Sequence, residues 1–121
     1  MTDPTISTGD SGYAPVNGLE MYYEVHGSGS GRPLVLLHGN LSTIGVDFGG
    51  IIPSLAKGRQ VIGVEQQAHG HTADIDRPLS IQSWTSDTVA LLRHLGIGQA
   101  DLFGYSSGSA VAMQVALDHP E

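Results

Sequence analysis

Three short segments of this 121-residue chain are apolar at nearly every position, and they constrain the fold more than any other feature. They are Leu34–Leu37, Val61–Val64 and the pair Leu102 and Phe103. A strand that is buried on both faces has this pattern, whereas a strand with one face in water alternates apolar and polar residues. The three segments therefore predict neighbouring strands of a parallel sheet that is covered by helices on both sides.

Helical periodicity fills the two connections between these strands. Apolar positions recur there every three to four residues, which places them on one face of a helix. In the first connection, where Pro53 interrupts the pattern, they are Phe48, Ile51, Ile52, Leu55 and Ala56. In the second, with Ser80 placed to cap the start and Gly96 the end, they are Ile81, Trp84, Thr88, Leu91, Leu92 and Leu95.

Strands that alternate with helices in one direction imply right-handed crossovers and an α/β fold with a mostly parallel sheet and flanking helices. A further, very apolar helix is predicted over residues 110–117. At the other end of the chain, Asn17-Gly18 precedes a stretch of alternating polarity, which predicts a β-hairpin at the antiparallel margin of the sheet. We expect residues 1–12 to be a flexible tail and residues 13–121 to form the folded unit.

Composition excludes several classes of function. The chain has 5 Lys and Arg against 12 Asp and Glu, a net charge of −7, so nucleic acid and anionic membranes are poor electrostatic partners. It has no cysteine, which removes disulfides, thiolate metal sites and cysteine nucleophiles. Residues 1–12 contain no basic residue and no apolar run, so we expect no secretory signal there, and no later segment approaches the ~20 apolar residues that cross a bilayer. We expect a soluble, cytoplasmic protein.

The segment Gly104-Tyr105-Ser106-Ser107-Gly108 directly follows the third predicted strand and directly precedes the last predicted helix. A Gly-x-Ser-x-Gly in this position is typical of a sharp strand-to-helix corner that projects the serine hydroxyl from the sheet. The flanking glycines are needed because side chains there would collide. The start of the helix also points backbone N–H groups and a positive dipole at the serine, which suits a developing oxyanion.

A second candidate segment, His38-Gly39-Asn40, follows the first predicted strand. The carboxyl ends of parallel strands meet at one edge of the sheet, so this loop and the serine corner should face the same crevice. With both segments in place, the sequence resembles the α/β-hydrolase family, in its broad group of serine esterases and lactonases. The resemblance runs from about residue 16 to residue 121 and would cover only the N-terminal half of that family's domain.

The resemblance implies Ser106 as the nucleophile and the backbone N–H groups of Ser107 and Asn40 as the oxyanion hole. Gly104, Gly108, His38 and Gly39 are then structural residues of the corner and the loop. The implied substrate is a small ester, lactone or similar acyl compound, with no metal and no organic cofactor. A nucleophilic aspartate would have implied dehalogenase or epoxide hydrolase chemistry, and Ser106 argues against both.

Residues 65–72 resemble the family's loop after the next strand, but Glu65 and Ala68 replace its usual Asp and Gly. His69 and His71 lie in this loop, and no third residue is spaced to complete a metal site with them. We expect these two histidines to structure the loop or line the pocket.

The acid and the histidine that complete the family's catalytic triad follow the nucleophile in the chain, and this sequence supplies no residue suited to either role. His119 is thirteen residues beyond Ser106, roughly 20 Å along a helix. We therefore expect the chain alone to be nearly inert. Two alternatives stay open: a hydrolase-like module that binds a small molecule without chemistry, and a C–C hydrolase or perhydrolase on the same scaffold.

No predicted element covers the third strand and the last helix, so we expect an open sheet edge with apolar surface beside it. Three explanations are possible for such an edge. The chain is incomplete and a C-terminal half completes it, it associates with itself through this edge, or another polypeptide covers it.

Overall fold

A computed structural model describes residues 10–29 and 31–120. Its five strands form one sheet in the order β1-β2-β4-β3-β5. The elements are β1 (Asp10–Val16), β2 (Leu19–His26), β3 (Leu34–Leu37), α1 (Ile44–Phe48), α2 (Ile52–Leu55), β4 (Val61–Val64), α3 (Ile81–His94), β5 (Asp101–Gly104) and α4 (Ser107–Asp118). This is the predicted α/β fold, with a parallel centre and an antiparallel hairpin at one margin.

The three apolar segments form the parallel part of the sheet, as predicted. β3 lies in the centre and pairs in parallel with β4 on one side and β5 on the other. Every residue of β3 and β4 is buried. β5 is the edge strand, and the side chain of Phe103 on it is 40% exposed. As expected, no described strand pairs with the outer side of β5, and Met113 and Leu117 on α4 are exposed.

Apolar side chains pack on both faces of the sheet. One cluster joins α3, α4 and the hairpin to the inner strands and includes Trp84, Leu91 and Val111. A second, smaller cluster on the opposite face is formed by α1, α2 and side chains of β2, β3 and β4. The two layers bury β3 and β4 from both sides, which explains why their sequences contain no polar residue.

The second crossover helix agrees with the prediction at both ends. Ser80 is the N-cap of α3 and its hydroxyl accepts the Ser83 N–H, and Gly96 follows the last turn with a positive φ of 75°. The first crossover was predicted as a helix around residues 48–56 that Pro53 interrupts, and the structure places the interruption elsewhere. The segment forms two short helices, α1 and α2. Gly49 and Gly50 lie between them, and Pro53 lies in the first turn of α2.

The hairpin is also as predicted, with Asn17 and Gly18 both at positive φ in its turn. The boundary of the tail is different. β1 begins at Asp10, so residues 10–12 belong to the sheet, because antiparallel pairing uses the backbone and needs no apolar side chain there. The rest of the predicted tail, residues 1–9, lies outside the described residues.

Within the described part of the chain, no helix combines the length and the apolar character needed to cross a bilayer.

Candidate functional site

Ser106 occupies the sharp corner between β5 and α4. Its φ of 57° and ψ of −119° lie in a region that non-glycine residues rarely adopt, and the residue is exposed. Such backbone strain typically costs 1–3 kcal/mol and persists only where the surrounding structure enforces it. The corner therefore presents a hydroxyl to solvent at the carboxyl edge of the sheet.

The glycines on either side of Ser106 are required by close backbone contacts. A Cβ on Gly104 would lie 2.3 Å from the carbonyl oxygen of Gly108. A Cβ on Gly108 would lie 2.0 Å from the carbonyl oxygen of Leu37 and 2.7 Å from that of His38. Because these neighbours are backbone atoms, they cannot swing aside. Glycine at both positions allows the chain to reverse direction after β5 and allows the first turn of α4 to pack against the end of β3.

The His38-Gly39-Asn40 loop lies beside the serine corner. Leu37 pairs with Gly104 at the end of the parallel ladder. Gly39 lies two residues beyond Leu37, and Ser106 lies two residues beyond Gly104. A Cβ placed on Gly39 would be 3.3 Å from the Cβ of Ser106. The structure thus brings together the two segments that the sequence analysis placed in one crevice.

Near this corner, some backbone N–H groups make no hydrogen bond with any other described residue, and two of them belong to the predicted oxyanion hole. One belongs to Ser107, the first residue of α4, and the other to Asn40. The neighbours of Asn40 are both engaged. The Gly39 N–H donates to Oδ2 of Asp47 at 2.7 Å, and the Leu41 N–H donates to Nε2 of His69 at 2.9 Å.

His38 is fully enclosed and held by backbone groups. Its Nε2 accepts the Gln66 N–H at 2.9 Å, so the ring proton lies on Nδ1, which donates to the carbonyl oxygen of Gly39 at 2.8 Å. Burial lowers the pKa of His38 below its ordinary value of 6.5. This environment suits a neutral, structural imidazole that ties the loop after β3 to the loop after β4.

Glu65, which departs from the family's usual Asp, is a buried acceptor. Its carboxylate takes the Ile44 N–H at 3.2 Å, the His71 N–H at 2.7 Å and Nδ1 of His71 at 2.9 Å. The His71 ring stacks on Tyr22, which belongs to the apolar cluster on the α1 and α2 face of the sheet. Burial, aided by the hydrogen bond to Glu24, raises the pKa of Tyr22 to about 12.

A partly buried ion pair that the sequence analysis missed anchors the far end of this loop. Arg77 meets the fully buried Asp87 on α3, with Nη2 2.7 Å from Oδ2. The hydrogen bond to Asp87 raises the pKa of Arg77 above its ordinary value. Arg77 also donates from Nε to Oε1 of Gln67 at 2.8 Å, and Asn17 donates to Asp87 at 2.9 Å. The signal was present: Asp87 is a charged residue within the buried stripe of α3, where a charge needs a partner.

No described histidine hydrogen-bonds the hydroxyl of Ser106. His119 lies at the opposite end of the strands, where it lines a cavity of about 460 Å³ with Arg32, Gly98 and Leu102. Neither Ser106 nor Asn40 lines that cavity, so the cavity is separate from the serine corner. Among the described residues there is also no group of three His, Asp or Glu that could hold a metal ion.

Comparisons with known proteins agree with this architecture. A family model described as the alpha/beta hydrolase fold matches residues 32–121. The 2-hydroxymuconate semialdehyde hydrolase of Pseudomonas sp. (strain CF600) is 34% identical over 123 residues, covering 89% of this chain and 42% of that protein. An sn-1-specific diacylglycerol lipase of Danio rerio is 37% identical over 110 residues, covering 88% of this chain and 33% of the lipase.

Among solved structures, the enol-lactonase from Burkholderia xenovorans LB400 matches with a TM-score of 0.84 and 27% identity. The match covers 89% of this chain and 42% of the lactonase. The chain therefore spans less than half the length of each of these three proteins.

Proposed function

Because this chain belongs to the α/β-hydrolase fold family, we propose that it carries the nucleophile and oxyanion hole of a serine hydrolase for ester, lactone or similar acyl substrates. One observation carries the proposal. The exposed, strained Ser106 stands beside two N–H groups, those of Ser107 and Asn40, that have no partner among the described residues. Unpaired donors at such a corner are the arrangement that stabilises a tetrahedral oxyanion.

In the proposed reaction, Oγ of Ser106 attacks the acyl carbon and the carbonyl oxygen becomes an anion that accepts hydrogen bonds from Ser107 and Asn40. The ester C–O bond then breaks, and the proton that left Ser106 passes through a base to the leaving alcohol. Water attacks the acyl-enzyme in the same way, which releases the acid and restores the hydroxyl. The proposal needs neither a metal nor an organic cofactor.

The base and its acidic partner are proposed to come from polypeptide outside these 121 residues. No described imidazole reaches Ser106, and the relatives are more than twice as long as the matched region. Loss of the histidine costs a serine enzyme about 10⁶ in turnover and leaves about 10³ to 10⁴ over water. We therefore expect very slow turnover by the 121-residue chain and full activity only when the missing groups are supplied.

A fluorophosphonate probe tests this proposal in the longest natural chain that contains these residues. We expect covalent labelling that is lost in Ser106→Ala and retained in Ser54→Ala, a control at an exposed serine of α2. Absence of labelling, in a protein that unfolds cooperatively, would favour the second candidate, a binding module without chemistry.

A C–C hydrolase is a further candidate on the same scaffold, and the 34% identity to the semialdehyde hydrolase favours it specifically. It predicts faster turnover of 2-hydroxymuconate semialdehyde than of a simple aryl ester. The reverse preference would discard it while leaving the role of Ser106 unchanged.

A further inference from the structure

Two loops at the carboxyl edge of the sheet are joined by a pair of histidines in a reciprocal way. The loop after β3 supplies His38, whose Nε2 accepts the Gln66 N–H from the loop after β4, at 2.9 Å. The loop after β4 supplies His69, whose Nε2 accepts the Leu41 N–H from the loop after β3, also at 2.9 Å. Each loop thus donates one backbone N–H to an imidazole of the other.

The hydrogen bonds of His69 determine which ring nitrogen carries its proton. Because Nε2 accepts from Leu41, that nitrogen is unprotonated, and Nδ1 donates to the carbonyl oxygen of Gln67 at 2.9 Å. The ring is 5% exposed and packs edge-on against Trp84. The centroid of the ring also lies 4.9 Å from that of the His38 ring.

Leu41 shows why this hydrogen bond matters to the site. Its side chain is 92% exposed and its φ is 59°, an unfavourable conformation for a branched residue with no packing to enforce it. The N–H bond to His69 is the contact that holds this backbone. On the other side of Asn40, Asp47 holds the Gly39 N–H. The hydrogen bonds of the Gly39 and Leu41 N–H groups therefore hold the peptide between them in place, while its own N–H group, that of Asn40, has no partner among the described residues.

We propose that His69 is a positioning residue for the oxyanion hole: as a neutral imidazole it fixes residues 39–41 by accepting the Leu41 N–H. The inference rests on the proposed function for its catalytic consequence, but the hydrogen bond itself can be tested separately.

Three variants distinguish the loss of the hydrogen-bond acceptor from the loss of the volume of the ring. His69→Leu fills much of the space and leaves the Leu41 N–H without a partner, whereas His69→Gln places an amide oxygen near the position of Nε2. His94→Leu makes the same chemical change at an exposed position in the last turn of α3 and serves as the matched control.

The first measurement is the maximal rate of fluorophosphonate labelling of Ser106 in the longest natural chain. Removal of one oxyanion donor costs about 10²- to 10³-fold, so we expect His69→Leu to lose about 10²-fold, with an unchanged half-saturating probe concentration. His69→Gln should stay within about tenfold of the parent, and His94→Leu should match it. Equal rates in His69→Leu and the parent would overturn the inference.

The second measurement is nuclear magnetic resonance of the same proteins, which does not depend on catalysis. We expect His69 to carry its proton on Nδ1 and the Leu41 amide to be protected from hydrogen exchange in the parent and in His69→Gln but not in His69→Leu. A parent with its proton on Nε2, or with an unprotected Leu41 amide, would refute the positioning role. If Ser106 is not labelled in any variant, the proposed function fails and these amide data alone decide the role of His69.

Discussion

Replacement of Gly108 by alanine tests the tight fit between α4 and the end of β3. The new Cβ would lie 2.0 Å from the carbonyl oxygen of Leu37 and 2.7 Å from that of His38. Ordinary contact with a Cβ begins at 3.4 Å, so the start of α4 must withdraw by more than 1 Å. Overpacking of this kind costs about 1–3 kcal/mol. We expect about 3 kcal/mol because both obstructing atoms are backbone.

Thermal unfolding followed by circular dichroism measures this cost. For a domain of this size, 1 kcal/mol corresponds to roughly 4 °C, so Gly108→Ala should lower Tm by about 12 °C. Gly98→Ala is the matched control, because no atom lies within 4 Å of the added carbon; its effect should stay within about 0.5 kcal/mol. Equal Tm values for the two variants would refute the reasoning that backbone contact, rather than glycine content, determines this corner.

Two further predictions concern stability. Ser106→Gly should be more stable than Ser106→Ala by about 1 kcal/mol in urea unfolding, because glycine relieves the positive φ at a smaller entropic cost; an alanine variant of equal stability would mean that the corner is unstrained. Asp87→Ala should lose about 3 kcal/mol because it leaves the Arg77 guanidinium without its carboxylate. The Asp87→Ala and Arg77→Met double variant should lose less than the sum of the single losses, and an additive result in the urea midpoints would contradict the coupling.

The sequence alone predicted the elements that depend on local pattern. Continuous apolar runs identify β3 and β4 because both of their faces are covered, and Asn17-Gly18 identifies the hairpin because its turn requires positive φ. Ser80 and Gly96 mark the ends of α3 by the same local chemistry. The break between α1 and α2 was missed because the apolar spacing continues across it, although two adjacent glycines interrupt the helix.

The contacts that organise the candidate site are less accessible to such reasoning. The hydrogen bond from Leu41 to His69 spans 28 residues, and no local pattern encodes it. Asp47 has an ordinary sequence context in the first turn of α1, yet its carboxylate holds Gly39. The segments that carry Ser106 and Asn40 could be found in advance because a sharp corner and a close approach demand glycine at set positions. Their supporting side chains could not, since many residue types can supply a hydrogen-bond acceptor.

The pairing of Leu37 with Gly104 also determines how far apart the two segments of the candidate site lie. Ser106 and Gly39 are both two residues beyond this pair, so their separation is fixed by the alignment of two strands that are 67 residues apart in sequence. A shift of β5 by two positions would carry the hydroxyl about 7 Å along the sheet, and a shift by one would turn its side chains to the other face. The register of the β3–β5 ladder therefore sets the separation of the two segments, and the contacts from Asp47 and His69 then fix the loop after β3.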